Sequence, residues 1–301
     1  MLKILATDGL DKSAVKELEA LGHEVHEQFY EPEDLKEALK DYDVVVVRSA
    51  TKVREPIIDA AAEGGRLKMI IRAGVGVDNI DVKYAEDKGI KVRNTPNSSS
   101  ASVAELVLGH MLSLARFVGI SNVTMRNGEW NKKKYKGVEL AGKTLGLVGF
   151  GRISHELAKK ASALGMNVIY TNRSGPKDDY PQYAYMELDE LLKKADFVSI
   201  HTPAMKDGKA LIDAEKIAQM KDGAYLINCA RGGVVDETAL LKALNSGKLS
   251  GAGIDVFEVE PAKNTDLLNH PNVSVTPHIG GSTSEAQMRI GEEVVEVIKS
   301  L

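Results

Sequence analysis

A short apolar run that leads into two closely spaced glycines constrains the fold more than any other feature of the chain. Residues 145–148 read Leu-Gly-Leu-Val, which is typical of a buried parallel strand. Gly149-Phe-Gly151 follows, and apolar residues then recur at helical spacing over residues 153–161. A strand, a glycine turn and a helix N-terminus form an anion site, because backbone N–H groups and the helix dipole face the ligand. We therefore interpret the stretch as a dinucleotide-binding loop, in which Ser154 replaces the third glycine of the fingerprint.

The loop alone is a weak signal, because strand-to-helix turns often contain glycine without binding a nucleotide. The second part of the fingerprint lies about twenty residues further on, after an apolar strand at residues 166–171. An acid that binds the ribose hydroxyls of NAD is usual there, but this chain has Asn172-Arg173-Ser174. Two interpretations stay open. Either this trio binds the 2′-phosphate of NADP, or Arg173 is a solvated loop residue and Asn172 binds the hydroxyls.

Composition and charge limit the class of protein. With 301 residues the chain is long enough for two domains, and its 43% hydrophobic and 27% charged residues are typical of a globular protein. The net charge of −4 gives no reason to expect nucleic acid or an anionic membrane as a partner. Long apolar runs and signal-peptide features are missing, and the single cysteine, Cys229, excludes internal disulfides. We expect a cytoplasmic protein with no metal site and no third domain after Leu301.

Apolar runs alternate with helical patterns along the chain, which predicts an α/β fold with parallel sheets. Early strands are predicted at residues 2–6, 24–28, 43–47, 69–71 and 89–93. A polar segment at residues 94–101 precedes a long apolar helix at 103–117 and is interpreted as the crossing between domains. We expect two Rossmann-like domains. The first is a discontinuous substrate-binding domain of residues 1–95 and 283–301, closed by the C-terminal helix, and the second is a dinucleotide-binding domain of residues 96–282.

Three polar residues follow predicted strands, at the edge where open α/β sheets bind their ligands. They are Arg231 before a glycine pair, Glu260 before a proline, and His278 after a proline. Each one alone is most simply a solvated loop residue. Together they suit hydride transfer, since Arg231 can bind a carboxylate, His278 can exchange a proton, and Glu260 can stabilise the imidazolium. A nucleophilic role for Cys229 is rejected, because it ends a buried strand where a small apolar side chain is expected.

With these motifs the sequence resembles the D-isomer-specific 2-hydroxyacid dehydrogenases nearly end to end, and most of all their phosphoglycerate branch. Further matching stretches lie at residues 47–53, 72–79, 130–135, 137–140 and 201–203. The resemblance implies catalytic roles for Arg231, Glu260 and His278. It implies cofactor contacts at Val75, Gly149, Gly151, Arg152, Ile153, Asn172, Arg173, Thr202, Cys229, Ala230, Asp255, Gly280 and Gly281, and substrate contacts at Arg48, Lys52, Arg72 and Gly74.

The resemblance also implies a reaction, the oxidation of 3-phospho-D-glycerate to 3-phosphohydroxypyruvate in the first step of serine biosynthesis. NAD is the family's usual cofactor, and NADP stays open because Asn172 stands where the family has its ribose-binding aspartate. A homodimer through the segment after the crossing helix is implied as well. Two alternatives are kept. One is an NADPH-dependent glyoxylate or hydroxypyruvate reductase, and the other is a non-catalytic dinucleotide-sensing protein on the same fold.

The cations near the expected substrate site have an ordinary alternative. Arg48, Lys52 and Arg72 would bind a substrate phosphate, and the lysine run at Lys132–Lys134 would add charge from a partner subunit. Each of them is otherwise surface charge, the usual role of such residues.

Overall fold

The computed structural model describes residues 1–205 and 207–301 and divides the chain into two compact units. Unit 1 comprises Met1–Ser99 and Gly281–Leu301, and unit 2 comprises Ser100–Gly280. The first boundary lies after the expected one because residues 97 and 98 are hydrogen-bonded within unit 1. Ser98 Oγ donates to the Glu293 carboxylate at 2.6 Å, and Arg289 Nε donates to the Ser98 carbonyl at 2.9 Å.

The second boundary lies two residues before the expected one, between adjacent glycines. The Gly280 N–H donates to Asp255 in unit 2 at 2.9 Å. The Gly281 carbonyl accepts from Gln287 in unit 1 at 2.7 Å. The hydrogen bonds therefore change units between these two residues.

Unit 1 contains a five-stranded sheet in the order β2-β1-β3-β4-β5, and all its strand pairs are parallel. Its strands are β1 (Lys3–Ala6), β2 (Glu24–Glu27), β3 (Val44–Val47), β4 (Met69–Arg72) and β5 (Lys91–Asn94). Its helices are α1 (Lys12–Ala20), α2 (Pro32–Ala38), α3 (Glu55–Gly64), α4 (Val82–Asp87) and the last helix of the chain, α12 (Ser284–Lys299). The four valines of β3 are all buried, because this central strand is covered on both faces.

Helix α12 belongs to unit 1 because its apolar side packs there. Ile290, Val294 and Ile298 are buried in one cluster with Leu18 of α1. Each such side chain contributes roughly 1.5–3 kcal/mol on burial. Thr283 caps the helix by accepting the Ala286 N–H at 3.1 Å. The C-terminal helix thus completes the core of the sheet formed by the first third of the chain.

Unit 2 contains, among its described residues, a seven-stranded parallel sheet in the order β12-β11-β10-β9-β6-β7-β8. Its strands are β6 (Thr144–Val148), β7 (Asn167–Thr171), β8 (Ala184–Tyr185), β9 (Phe197–Ile200), β10 (Ala224–Asn228), β11 (Leu249–Ile254) and β12 (Val273–Val275). Its helices are α5 (Ser100–Arg116), α6 (Val118–Arg126), α7 (Arg152–Ala163), α8 (Leu188–Lys194), α9 (Ala214–Gln219), α10 (Glu237–Asn245) and α11 (Thr265–Leu268). The predicted α/β architecture with two parallel sheets is confirmed.

The strand order of unit 2 reverses at β6, whose neighbours are β7 on one side and β9 on the other. Ligands of open α/β sheets bind at the carboxyl ends of the strands beside such a reversal. Gly149, Cys229 and Asp255 are the first residues after β6, β10 and β11, respectively. The fold therefore brings the predicted cofactor residues of unit 2 to one edge of its sheet.

Within the described ranges, no single helix has the length and apolar composition to cross a membrane. Helices α5 and α6 satisfy that criterion only when taken together, and they are bent by 63° at the break between them.

Candidate active site

The glycine loop of unit 2 is tight on its protein side and open at the helix. Gly149 has φ +92°, and a methyl group there would come within 2.7 Å of the His201 carbonyl oxygen. Gly151 precedes α7 with extended backbone, and a methyl group there would meet no described atom within 4 Å. Ser154 is fully buried and donates to the Gly149 carbonyl at 2.7 Å, so the hydroxyl at the third position has its own acceptor. The helix N-terminus and the open space at Gly151 fit a pyrophosphate.

The other cofactor residues of this loop and the next differ in exposure. Arg152 is exposed and Ile153 is half-buried at the start of α7. The Oγ1 of Thr202 is buried and has no hydrogen-bond partner among the described residues. Because a buried hydroxyl normally has a partner, this one fits a ligand group at that position.

The segment after β7 is a turn that holds Asn172 in place. The Gly175 N–H donates to the Asn172 carbonyl at 3.0 Å, and Asn172 Nδ2 donates to Ser174 Oγ at 2.8 Å. The Arg173 side chain is exposed. A neutral amide does not repel a 2′-phosphate as a carboxylate would, and an exposed guanidinium can bind one. The turn thus suits either dinucleotide.

The carboxylate of Glu260 and the imidazole of His278 form the central acid–base pair. Glu260 Oε2 lies 2.8 Å from His278 Nδ1, and both side chains are about one-third exposed (37% and 33%). Burial raises the pKa of Glu260. The hydrogen bond and charge of His278, the Phe257 N–H and the charge of Arg231 outweigh burial, and the pKa lies below its ordinary value. An ionised carboxylate only accepts hydrogen bonds, so Nδ1 donates and Nε2 is the ring atom that can exchange a proton with a substrate.

The backbone of His278 is in the left-handed region, with φ +54°. A non-glycine residue there costs roughly 1–3 kcal/mol, so the surroundings must enforce the conformation. Asp255 does so, because its carbonyl accepts the His278 N–H at 2.8 Å. Its carboxylate oxygens accept the Ile279 and Gly280 N–H groups at 2.8 and 2.9 Å. Asp255, predicted as a cofactor contact, therefore also shapes the loop that carries His278.

Arg231 follows β10 in a turn that the buried Asn228 organises. Asn228 Nδ2 donates to the Arg231 carbonyl at 2.9 Å, and its Oδ1 accepts the Ala230 N–H at 3.1 Å. Gly232 comes next, and a methyl group there would overlap the Phe257 carbonyl oxygen. The turn therefore lies against the start of the Glu260 segment. Asn228 was not predicted from the sequence, although an amide at the end of an otherwise apolar strand is a signal for such a role.

Cys229 is buried. This burial raises the pKa of its thiol well above the ordinary value, and the charge of Asp255 adds to the shift as the smaller cause. The thiolate is therefore suppressed near neutral pH. A nucleophilic cysteine needs the opposite shift. This agrees with the rejection of Cys229 as a nucleophile. Within the described residues, no group of three or more His, Cys, Asp or Glu side chains could hold a metal ion.

Unit 1 carries the predicted substrate residues. Arg48 is half-buried and lines a cavity of about 380 Å³, together with Asp11, Ser282, Thr283, Ser284 and Gln287. Lys52 and Val75 are exposed. Arg72 donates to the Ala73 carbonyl at 2.6 Å, and a methyl group at Gly74, whose φ is +147°, would overlap the Arg72 guanidinium.

Two residues that were not predicted from the sequence, Asp8 and Asn79, hold the Arg48 loop. Asp8 accepts the Arg48 N–H at 2.6 Å and the Thr51 N–H at 3.2 Å. Asn79 Nδ2 donates to the carbonyls of Arg48 and Thr51, both at 2.7 Å. The N–H groups and the carbonyls of Arg48 and Thr51 are thereby all hydrogen-bonded, and these bonds hold the backbone from which the Arg48 side chain extends.

Comparison with known proteins shows which family and which proteins this chain is similar to. Residues 108–280 match the model of the D-isomer specific 2-hydroxyacid dehydrogenase NAD binding domain. The chain is 49% identical over 302 residues to hydroxypyruvate reductase of Thermotoga maritima, covering 98% of this chain and 97% of that protein. It is 47% identical to D-3-phosphoglycerate dehydrogenase of Methanocaldococcus jannaschii, covering 100% of this chain but 57% of that protein.

A solved structure shares the fold over nearly the whole chain. The NADPH-dependent glyoxylate/hydroxypyruvate reductase from Sinorhizobium meliloti, in complex with NADP and malonate, superposes with a TM-score of 0.87 and is 28% identical. The match covers 99% of this chain and 93% of that one.

Proposed function

The chain belongs to the D-isomer-specific 2-hydroxyacid dehydrogenases, a family of oxidoreductases, and we propose that its substrate pair is 3-phospho-D-glycerate and 3-phosphohydroxypyruvate. The observation that carries this choice is the cavity at Arg48. It is lined by the Arg48 guanidinium, three hydroxyl-bearing residues, the N-terminus of α12, the amide of Gln287 and the carboxylate of Asp11. Of these groups, the guanidinium, the hydroxyls and the helix N-terminus suit a phosphate. The phosphoglycerate dehydrogenase among the relatives supports the same choice.

In this proposal the residues of unit 2 perform the acid–base chemistry. Arg231 binds the substrate carboxylate through its planar guanidinium and polarises the reacting carbonyl. During oxidation His278 Nε2 takes the hydroxyl proton, and during reduction it returns the proton to the carbonyl oxygen. The Glu260 carboxylate stabilises the imidazolium that forms, so the carboxylate and the imidazole titrate as one coupled pair. When bound, the nicotinamide accepts the substrate hydride in oxidation and supplies it in reduction.

A second candidate function is the reduction of hydroxypyruvate or glyoxylate with NADPH. It is favoured by the neutral Asn172 and the exposed Arg173, which suit a 2′-phosphate. It is also favoured by the hydroxypyruvate reductase among the relatives, whose length the chain matches almost fully. Unlike the first candidate, it gives the Arg48 cavity no phosphate to bind.

The two candidates are separated by initial rates with 3-phosphohydroxypyruvate, hydroxypyruvate and glyoxylate, each with NADH and NADPH. The proposed function requires the phosphorylated ketone to have the highest kcat/KM. Higher kcat/KM for the other two would replace it with the reductase. No turnover with any of them would favour a dinucleotide-sensing protein.

The variant Arg48→Ala tests the phosphate directly. A lost charge-assisted hydrogen bond is worth about 1.5–3 kcal/mol, so KM for the phosphorylated ketone should rise roughly 10- to 100-fold. KM for hydroxypyruvate should change little, because it has no phosphate. Arg93→Ala is the matched control, since Arg93 is exposed on β5 and its Nη1 donates to the adjacent Val92 carbonyl. Equal effects of Arg48→Ala on both substrates would remove the phosphate role.

We also propose that the chain forms a homodimer through α6 and the residues after it. Helix α6 has no buried residue, and it exposes Val118, Val123 and Met125, while Trp130 is 78% exposed. Apolar side chains grouped in this way usually mark an interface. Light scattering after size exclusion should give twice the 32.6 kDa chain mass, and Val123→Glu should reduce it to one chain mass. A wild-type protein of one chain mass would refute the dimer.

A further inference from the structure

A row of hydrogen-bonded side chains in unit 2 connects helix α5 with the loop of His278. His110 lies on the buried side of α5 and is 2% exposed. Its Nδ1 lies 2.9 Å from Ser274 Oγ, and its Nε2 lies 3.1 Å from Thr276 Oγ1. Thr276 Oγ1 in turn donates to Asp255 Oδ1 at 2.6 Å. The row ends at the carboxylate that accepts the two backbone N–H groups after His278.

The hydrogen bonds of this row have one direction. A carboxylate can only accept, so the single proton of the Thr276 hydroxyl points to Asp255. Thr276 Oγ1 is therefore the acceptor of a proton on His110 Nε2. In the neutral ring Nδ1 is then an acceptor, and it takes the Ser274 proton. Every donor points towards Asp255, and hydrogen bonds aligned in this way strengthen one another.

The imidazole of His110 is suited to this task because it is neutral and confined. Burial lowers the pKa of His110, against the charge of Asp255, which raises it. The ring stands against β11 at Gly253, where a methyl group would come within 2.7 Å of His110 Cβ. A neutral imidazole supplies one donor and one acceptor at a fixed separation, which matches the two hydroxyls on β12 and just after it.

We propose that His110 is a positioning residue for His278, acting through Thr276 and Asp255 on the left-handed loop that carries the acid–base imidazole. The proposal rests on the proton-transfer role proposed above for His278. The ordinary alternative is that His110 is a core residue whose polar atoms are merely satisfied. The two differ in outcome, because a core residue affects stability, whereas a positioning residue also affects the geometry of the loop after β12 and hence kcat.

Two substitutions of His110 separate hydrogen bonding from packing. His110→Leu fills the space but removes both hydrogen bonds, whereas His110→Gln keeps a donor near Nε2 and has an oxygen that can accept. We expect kcat for the best ketone substrate to fall about tenfold in His110→Leu, as for one lost hydrogen bond, with KM changed less than about twofold. His110→Gln should retain kcat within about twofold. Val107→Ala is the control, since Val107 is fully buried on α5 and has no place in the row.

Amide hydrogen exchange of residues 276–281, measured without substrate, supplies a second readout. The amides of Ile279 and Gly280 should exchange about tenfold faster in His110→Leu and at the wild-type rate in His110→Gln. Unchanged exchange and kcat in His110→Leu would overturn the proposal. Equal losses in Leu and Gln variants, or an equal fall of kcat in Val107→Ala, would overturn it too. If the wild type reduces none of the three 2-oxo acids, the proposed function fails, and the exchange rates still decide for or against the positioning role.

Discussion

Two glycines of the nucleotide loop should respond to the same substitution in opposite ways. Gly151 has φ −107°, which any residue adopts, and a methyl group there would meet no atom within 4 Å in the part of the chain that the structure describes. Gly149 has φ +92° and faces the His201 carbonyl. If the open space at Gly151 holds a pyrophosphate, Gly151→Ala should weaken cofactor binding without harming the fold. Gly149→Ala should destabilise the fold itself.

The magnitudes follow from the two environments. Alanine at a helix N-cap costs about 0.5–1 kcal/mol relative to glycine, and its lower unfolded-state entropy returns about 0.4–1 kcal/mol. The free energy of unfolding of Gly151→Ala should therefore stay within about 0.5 kcal/mol of wild type. One lost N–H bond to a phosphate is worth about 1.5–3 kcal/mol, so Kd for the dinucleotide should rise roughly 10- to 100-fold. In Gly149→Ala, backbone strain and overlap with a carbonyl should cost about 2 kcal/mol or more.

Urea unfolding measures the stability of both variants, and fluorescence titration with NADH and NADPH measures their affinity. The sharp result is a Gly151→Ala protein that is as stable as wild type and binds both dinucleotides weakly. Wild-type affinity in Gly151→Ala would mean that no phosphate approaches this glycine. If Gly151→Ala lost stability as well as affinity, Gly151 would be needed for the fold itself. The weaker binding would then be no evidence that a phosphate lies in the open space beside it.

Four further outcomes follow from the residues of unit 2. Arg173→Ala should raise KM for NADPH about tenfold and leave NADH unchanged, and equal effects would exclude a 2′-phosphate contact. Glu260→Gln should lower kcat about 10- to 100-fold with a smaller change in KM, because His278 loses the carboxylate that stabilises its charged form. The pKa of Glu260 in the folded chain lies below its ordinary value of 4.5. The stability that Glu260 gives relative to Gln is therefore complete above pH 4.5 and is lost as the pH falls through the lower pKa of the folded chain. A stability difference between wild type and Glu260→Gln that stays the same from pH 7 to pH 3 would contradict this. Burial lowers the pKa of His201 from 6.5 to about 3, so the unfolded chain alone gains this proton as pH falls below 6.5, and stability should decline by up to about 1.4 kcal/mol per pH unit. His201→Gln should make urea midpoints fall less between pH 7 and pH 5, and identical falls would show that His201 is not the source.

The architecture could be read from the sequence because its signals are local. The β-branched run of β3 and the apolar run of β6 are periodic over a few residues, and parallel pairing follows from their alternation with helices. Helix α6 was not predicted, and the structure buries none of its residues. The boundaries shifted by a few residues because side-chain hydrogen bonds, such as that of Ser98 with Glu293, join positions nearly 200 residues apart.

The part of the candidate site that could be predicted consists of residues with a recognisable local sequence context. Arg231, Glu260 and His278 stand in loops rich in glycine and proline, and the latter two do lie 2.8 Å apart. His110 gave no such signal, because a histidine on an apolar helix face resembles a core residue until Ser274 and Thr276 are seen beside it. Contacts over a separation of 164 or 166 residues depend on the pairing of β11 and β12, which no local pattern encodes.

Ser154 and Asn172 are the two departures from the dinucleotide fingerprint, and only the first is explained by contacts within the chain. Ser154 is explained within the chain, because its hydroxyl donates to the Gly149 carbonyl and the side chain fits at full burial. Asn172 is also satisfied within the chain, through Ser174, yet this satisfaction holds for NAD and NADP alike. A packing question has its answer in neighbouring atoms, whereas a specificity question is a difference between two ligands. The charge of Arg173 can favour NADP only if a phosphate reaches it. The ratio of NADPH to NADH affinity, compared between wild type and Arg173→Ala, therefore decides whether the segment at Asn172 selects NADP over NAD.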